Sequence, residues 1–174
     1  MKKLYFIRHG LSEMNKQGRW SGTTETPLSP EGRRQAKAAG KLAKDLGIDY
    51  IVCSPLSRAH DTAKIVAAEI GYPENKIHVN DLFIERHWGS LEGQPWSPDL
   101  DLDGFSDIES RDTIIERARL ALEVLRTVDA HNILVVSHGS FGRAMRHHLL
   151  DHPYTNKRLP NEPVIPNAEI VQWL

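Results

Sequence analysis

Lys3-Leu4-Tyr5-Phe6-Ile7, followed at once by Arg8-His9-Gly10, is the stretch on which the fold turns. Residues 4–7 are a continuous apolar run of the length a buried strand needs, and too short for a helix of ordinary length. Residues 50–53 and 133–136 have the same form, and weaker runs stand at 77–79 and 170–173. Between the runs lie amphipathic segments. Strands that alternate with helices are covered on both faces, so the expected fold class is α/β, a three-layer α/β/α arrangement with a mostly parallel central sheet.

The helices announce themselves by their ends. Ser29 can cap a helix that has Pro30 at its first position, and Ala36, Ala39, Leu42, Ala43 and Leu46 extend one apolar face as far as Gly47. A second helix is predicted over residues 56–70, with Ala59, Ala63, Val66, Ala67 and Ile70 turned inward and Gly71 as its stop. In a third, Ile114, Ala118, Ala121, Leu122 and Leu125 recur at helical spacing among Glu116, Arg117, Arg119, Glu123 and Arg126. A fourth follows the run at 133–136. There is no internal repeat, so residues 1–174 read as a single domain. Residues 93–108 are acidic, contain proline and follow no period, which predicts a surface loop or lid.

Composition narrows the classes of function. At 174 residues, 40% hydrophobic and 26% charged, the chain has the make-up of a globular domain, and a net charge of −1 gives no general field for nucleic acid. A positive site must therefore be local. One cysteine, Cys53, lies in an apolar run, and no apolar stretch approaches membrane length; a cytoplasmic protein with no membrane partner is expected.

Chemistry gathers at the strand ends, where open α/β sheets bind ligands. Arg8-His9-Gly10 ends the first run: arginine offers a planar fork for phosphate oxygens, and glycine lets the backbone approach closely. Ser54-Pro55-Leu56-Ser57-Arg58-Ala59 ends the second, adding another guanidinium. Ser137-His138-Gly139-Ser140 ends the third and leads into a helix, bringing N–H donors beside a second histidine. Neutral imidazole can attack phosphorus while cations and N–H groups stabilise the oxygens. A carboxylic acid is needed at the leaving oxygen, and Glu85 is the first candidate, Glu92 the second.

These segments, taken with Ser12 and Asn15, Arg19-Trp20-Ser21-Gly22, residues 28–32, Thr62-Ala63 and residues 85–93, resemble in order the histidine phosphatase superfamily, the phosphoglycerate-mutase-like proteins, and within it the small phosphatases of branch 1. The resemblance implies a phosphoglycerate-mutase-like fold with His9 as nucleophile, Arg8, Arg58 and His138 gripping the phosphoryl oxygens, and Glu85 as proton donor. It further implies that Asn15, the Ser21-Gly22 backbone and the Gly139 amide complete the pocket, with Trp88 against the substrate. No metal or other cofactor is implied. The partner is a small phosphorylated metabolite, and the chain is expected as a monomer or homodimer.

Family members are phosphatases or mutases. Glu85-Arg86-His87-Trp88-Gly89 is similar to the mutases, whereas the short acidic stretch after Gly93, and Glu109-Ser110 with Arg117, are similar to small phosphatases. A phosphatase is the expectation, a mutase the alternative, and a non-catalytic phosphate-ester binder the third reading. Two further patterns suggest metals and fall short. Asp99-Leu100-Asp101-Leu102-Asp103-Gly104 begins like a calcium loop but has Ser110 where the bidentate glutamate belongs. His147, His148 and His152 cannot all share one face, and a helix end rich in histidine accounts for them. Trp20 and Trp88 should border the pocket, while Trp96 reads as ordinary packing.

Overall fold

A computed structural model describes residues 2–156, 162 and 164–174. Its strands are β1 (Lys3–Arg8), β2 (Tyr50–Cys53), β3 (His78–Val79), β4 (Asn132–Ser137) and β5 (Ile170–Gln172), in the sheet order β3-β2-β4-β1-β5. The first four run parallel; β5 returns antiparallel beside β1, pairing Phe6 with Val171. Register aligns Arg8 with Ser137 and Cys53 with Val136, so the carboxyl ends of β1, β2 and β4 finish on one edge.

Alternation along the strands divides the apolar side chains between two cores. The helices are α1 (Glu13–Lys16), which buries no residue, and α2 (Pro30–Leu42), α3 (Ser57–Ile70), α4 (Arg111–Thr127) and α5 (Gly139–Leu150), which cover the cores. Leu4, Phe6, Val52, Ile133 and Val135 face one way, onto Ile114, Ala118, Ala121 and Leu125 of α4 and Phe141 and Met145 of α5. Tyr5, Ile7, Ile51, Cys53, Leu134 and Val136 face the other, onto Ala59, Ala63, Val66 and Ala67 of α3, with Ala39 of α2 joining them. Helices on both faces of the sheet make the three-layer α/β/α class.

Ends fall where local chemistry puts them. Ser29 Oγ accepts from Gly32 N at 3.0 Å, Pro30 opens α2, and Gly71 closes α3 in the left-handed region at φ 72°. Two expectations need correction. The regular part of α2 stops at Leu42, and a separate 3-10 turn, Lys44–Leu46, carries the chain to Gly47. Leu42, read as part of the apolar face, is 83% exposed, because it stands about 100° round the helix from Ala43. Residues 93–108 form a loop with one short turn, Leu102–Gly104, yet this loop is not simply a solvated acidic lid. Leu102 joins Trp20, Trp88 and Leu91 in a small third core, with Leu100, Phe105 and Ile108 packed against it.

Candidate active site

Three parallel strand ends bring the two histidines together. His9 N–H extends the β1–β4 ladder by donating to Ser137 O at 2.9 Å, and Ser54 N–H extends β2 by donating to Val136 O at 3.1 Å. The rings of His9 and His138 meet edge to face, centroids 5.1 Å apart, and both are buried.

The tautomer of His9 follows from its neighbours. Its Nδ1 lies 2.7 Å from Gly10 O, a group that can only accept, so the ring proton sits on Nδ1 and Nε2 keeps its lone pair. Arg58 Nε–H points at that lone pair from 3.3 Å. Burial first, then the charges of Arg58 and Arg8, hold the His9 pKa well below the usual histidine value. A neutral imidazole with a directed lone pair beside a guanidinium is the arrangement an attack on phosphorus requires.

Each part of this pair is held from outside. Asn167 Nδ2 donates to His9 O at 2.8 Å, and Gly10 N–H donates to Thr62 Oγ1 at 3.0 Å. A Cβ on Gly10 would stand 2.4 Å from Gly32 O, so the loop passes α2 at a distance only glycine allows. Thr62 Oγ1 also donates to Arg58 O at 2.7 Å. Arg58 spreads its fork to Thr24 O at 2.9 Å and Gly22 O at 2.6 Å; burial lowers its pKa to about 10, which leaves it cationic at neutral pH. Arg8 Nη1 donates to Ile165 O at 3.2 Å. His138 Nε2 sits 2.7 Å from Ser54 Oγ, while its Nδ1 is buried without a hydrogen-bond partner. Burial, then Arg58, His9, Arg8 and Arg117, keep His138 neutral as well.

Glu85 accepts from Ser140 N at 3.1 Å and Phe141 N at 3.0 Å, at the amino end of α5, and from its neighbour Arg86 N at 2.8 Å. Its backbone is fixed by Arg117, which donates to Leu82 O at 2.9 Å and Ile84 O at 2.6 Å and pairs with Glu109 at 2.8 Å. Ser110 then caps α4. Glu92, the second candidate acid, is occupied elsewhere. Its two oxygens accept from the N–H groups of Thr23 at 3.0 Å, Thr24 at 2.9 Å and Trp88 at 3.0 Å, and from both threonine hydroxyls. It staples the loop that holds Arg58 to the segment that carries Glu85.

Arg8, His9, Asn15, Ser21, Gly22, Arg58, Glu85, Trp88 and Gly139 all line one cleft of about 500 Å³; His138 lies behind it against His9. Asn15 Oδ1 is turned to Ser12 N–H at 3.4 Å, which leaves its NH₂ end to donate. Several walls of the cleft were not foreseeable from the sequence: Leu100, Leu102, Arg143, Asn156, Val164 and Asn167. Trp96, expected in ordinary packing, is 55% exposed and lines the cleft too. Only a tryptophan in an unpatterned loop gave any signal; Asn167 and Val164 arrive from a distant part of the chain.

The acidic loop and the histidine-rich helix end are each tied down by hydrogen bonds within the protein. Asp101 Oδ1 accepts from Asp103 N at 3.1 Å, and Asp103 Oδ1 accepts from Asn156 Nδ2 at 2.6 Å. His147 Nδ1 donates to His152 O and His148 Nε2 to Ile115 O, both at 2.9 Å. Among the described residues no three His, Cys, Asp or Glu side chains stand close enough to hold a metal ion, and no helix is long and apolar enough to cross a membrane.

Known proteins share both sequence and fold with this chain. It is 33% identical over 147 residues to an uncharacterized phosphatase of Bacillus subtilis, PhoE, an alignment that covers 80% of this chain and 73% of PhoE. It is 40% identical over 95 residues to a 2,3-bisphosphoglycerate-dependent phosphoglycerate mutase of Nitratidesulfovibrio vulgaris, which covers 53% of this chain but 38% of the mutase. A mycobacterial glucosyl-3-phosphoglycerate phosphatase, solved with VO3, superposes with a TM-score of 0.81 at 27% identity, covering 99% of this chain and 92% of the other. The family model of the histidine phosphatase superfamily (branch 1) matches residues 4–172, spanning β1 and the returning β5 alike, and the chain belongs to that superfamily.

Proposed function

We propose that the protein is a phosphomonoesterase that hydrolyses a small phosphorylated metabolite through a phosphohistidine on His9. The observation that carries this reading is the His9 tautomer: Nδ1 is committed to Gly10 O at 2.7 Å, and Nε2 presents its lone pair beside Arg58 in a cleft shared with Glu85. In the first step Nε2 attacks phosphorus, the P–O bond to the alcohol breaks, and Glu85 in its acid form gives the departing oxygen its proton. In the second step Glu85 takes a proton from water, the resulting hydroxide attacks phosphorus, and the P–N bond breaks to release phosphate. Arg8, Arg58 and the Gly139 amide oppose the charge on the phosphoryl oxygens.

Hydrolysis is favoured over mutase transfer by the short acidic stretch after Gly93 and by Glu109-Ser110 with Arg117, which are similar to small phosphatases. Product analysis separates the two. Incubation with 3-phosphoglycerate and with an aryl phosphate should release inorganic phosphate from the aryl ester, and His9→Ala should abolish release. Positional transfer on the phosphoglycerate, exceeding hydrolysis, would establish the mutase instead.

A further inference from the structure

We infer that the far wall of the cleft selects monoesters of a flat, uncharged alcohol, with Trp96 as a specificity-determining residue; this rests on the reading of His9 as phosphoryl acceptor. The cleft has two unlike ends. At one stand Arg8, His9, Arg58 and the start of α5; at the other stand Trp20, Trp88, Trp96, Leu100 and Leu102. Trp20 packs on Trp88 with ring centroids 4.7 Å apart and on Trp96 at 6.3 Å, so the three indoles form a graded wall from buried to open. Trp20 and Trp88 are buried, whereas more than half of Trp96 faces solvent.

That exposure is not the result of a loose chain. Trp96 N–H donates to Gly18 O at 2.7 Å, Arg19 and Pro95 form an isolated bridge, and Trp20 N–H donates to Gln94 O at 3.0 Å. A large apolar face is thus held at the mouth of the cleft by its backbone, where a ring from the ligand can cover it.

Charge at this end disfavours a second anionic group. Arg143 lines the cleft, but its Nε and Nη2 are taken by both oxygens of Glu162 at 2.5 and 2.9 Å, and Nη2 also serves Thr155 O. Arg19 gives Nη1 to Gly93 O at 2.6 Å. Next to Leu102, an adjoining cavity of about 620 Å³ is bordered by Asp101, Asp103 and Asp112, whose carboxylates outnumber the guanidinium groups of Arg86 and Arg111. Of the guanidinium groups that line the cleft, Arg143 is thus paired with a carboxylate, while Arg8 and Arg58 stand at the phosphoryl end.

The test compares 1-naphthyl phosphate with phenyl phosphate, whose leaving groups have similar acidity, and with 3-phosphoglycerate and a sugar bisphosphate. The naphthyl ester should exceed the phenyl ester in kcat/KM by about tenfold through KM, from the area of the second ring. Trp96→Ala should reduce that ratio to about twofold, and Trp96→Phe should restore most of it. Preference for either anionic ester, or a naphthyl-to-phenyl ratio that Trp96→Ala leaves untouched, overturns the inference while the phosphatase reading stands. Failure to hydrolyse any of the four esters by the folded wild-type protein overturns the reading beneath it.

Discussion

Acidification should destabilise the empty protein through His9 and His138, and the size of the effect follows from their surroundings. In an unfolded chain an imidazole takes up its proton near pH 6.5. In the folded protein both rings are fully buried beside Arg58 and Arg8, and both stay neutral well below that pH. The unfolded state therefore binds more protons as the pH falls, so stability present above pH 6.5 is lost below it. The limiting slope is about 1.4 kcal/mol per pH unit for each ring, so the pair removes on the order of 3 kcal/mol between pH 7.5 and pH 5.5. That is a large part of the 5–15 kcal/mol of a typical domain. Urea unfolding at pH 7.5, 6.5 and 5.5 in phosphate-free buffer measures it, with His9→Gln, His138→Gln and the double variant as references. Other titrating groups cancel in the differences. Each single variant should remove about half of the extra slope and the double variant all of it. A double variant whose stability falls with pH as steeply as the wild type would refute the reasoning.

Three further outcomes follow from the site. Gly10→Ala places a Cβ 2.4 Å from Gly32 O, a backbone atom that cannot turn aside, and should lower the thermal midpoint by several degrees or more; an unchanged midpoint would show that α2 yields freely. Glu92→Ala strands the N–H groups of Thr23, Thr24 and Trp88 and should cost about 2–4 kcal/mol in urea unfolding, with kcat/KM falling because the Thr24 and Gly22 carbonyls hold Arg58. Glu92→Gln, which keeps one acceptor oxygen, should recover about half. The threonine and backbone donors that outweigh burial hold the Glu92 carboxyl below its usual range, so its contribution is present at neutral pH and is lost as the pH falls through that lowered value; Glu92→Gln should flatten this acid limb. Arg117→Lys cannot reach Leu82 O, Ile84 O and both oxygens of Glu109 together, and it should lower kcat more than it raises KM by loosening Glu85.

Much of the fold was legible because its signals are local. An apolar run such as 133–136 and a stop such as Gly71 depend on neighbours in the chain, and both stand where the pattern places them. Leu42 misleads because adjacent positions on a helix differ by about 100°, and membership of a face is decided by the partner surface. In the site, the strand-end histidines and arginines were legible because a parallel sheet brings its carboxyl ends together. The parts that escaped are long-range. Asn167 reaches His9 O from the far end of the chain, and Glu92 has the look of a free acid until its oxygens are seen filled by the 23–24 loop. Trp96 sits in a loop without period, where nothing in the sequence separates a packed indole from an open one.

The most direct test of the central claim is to quench the protein during turnover of a ³²P-labelled monoester and ask where the label lies. A phosphohistidine is labile to acid and stable to alkali, so the account predicts an alkali-stable, acid-labile label on His9 that chases into inorganic phosphate and is absent from His9→Ala. Phosphate release by folded protein with no such label, or with the label on another residue, would contradict it.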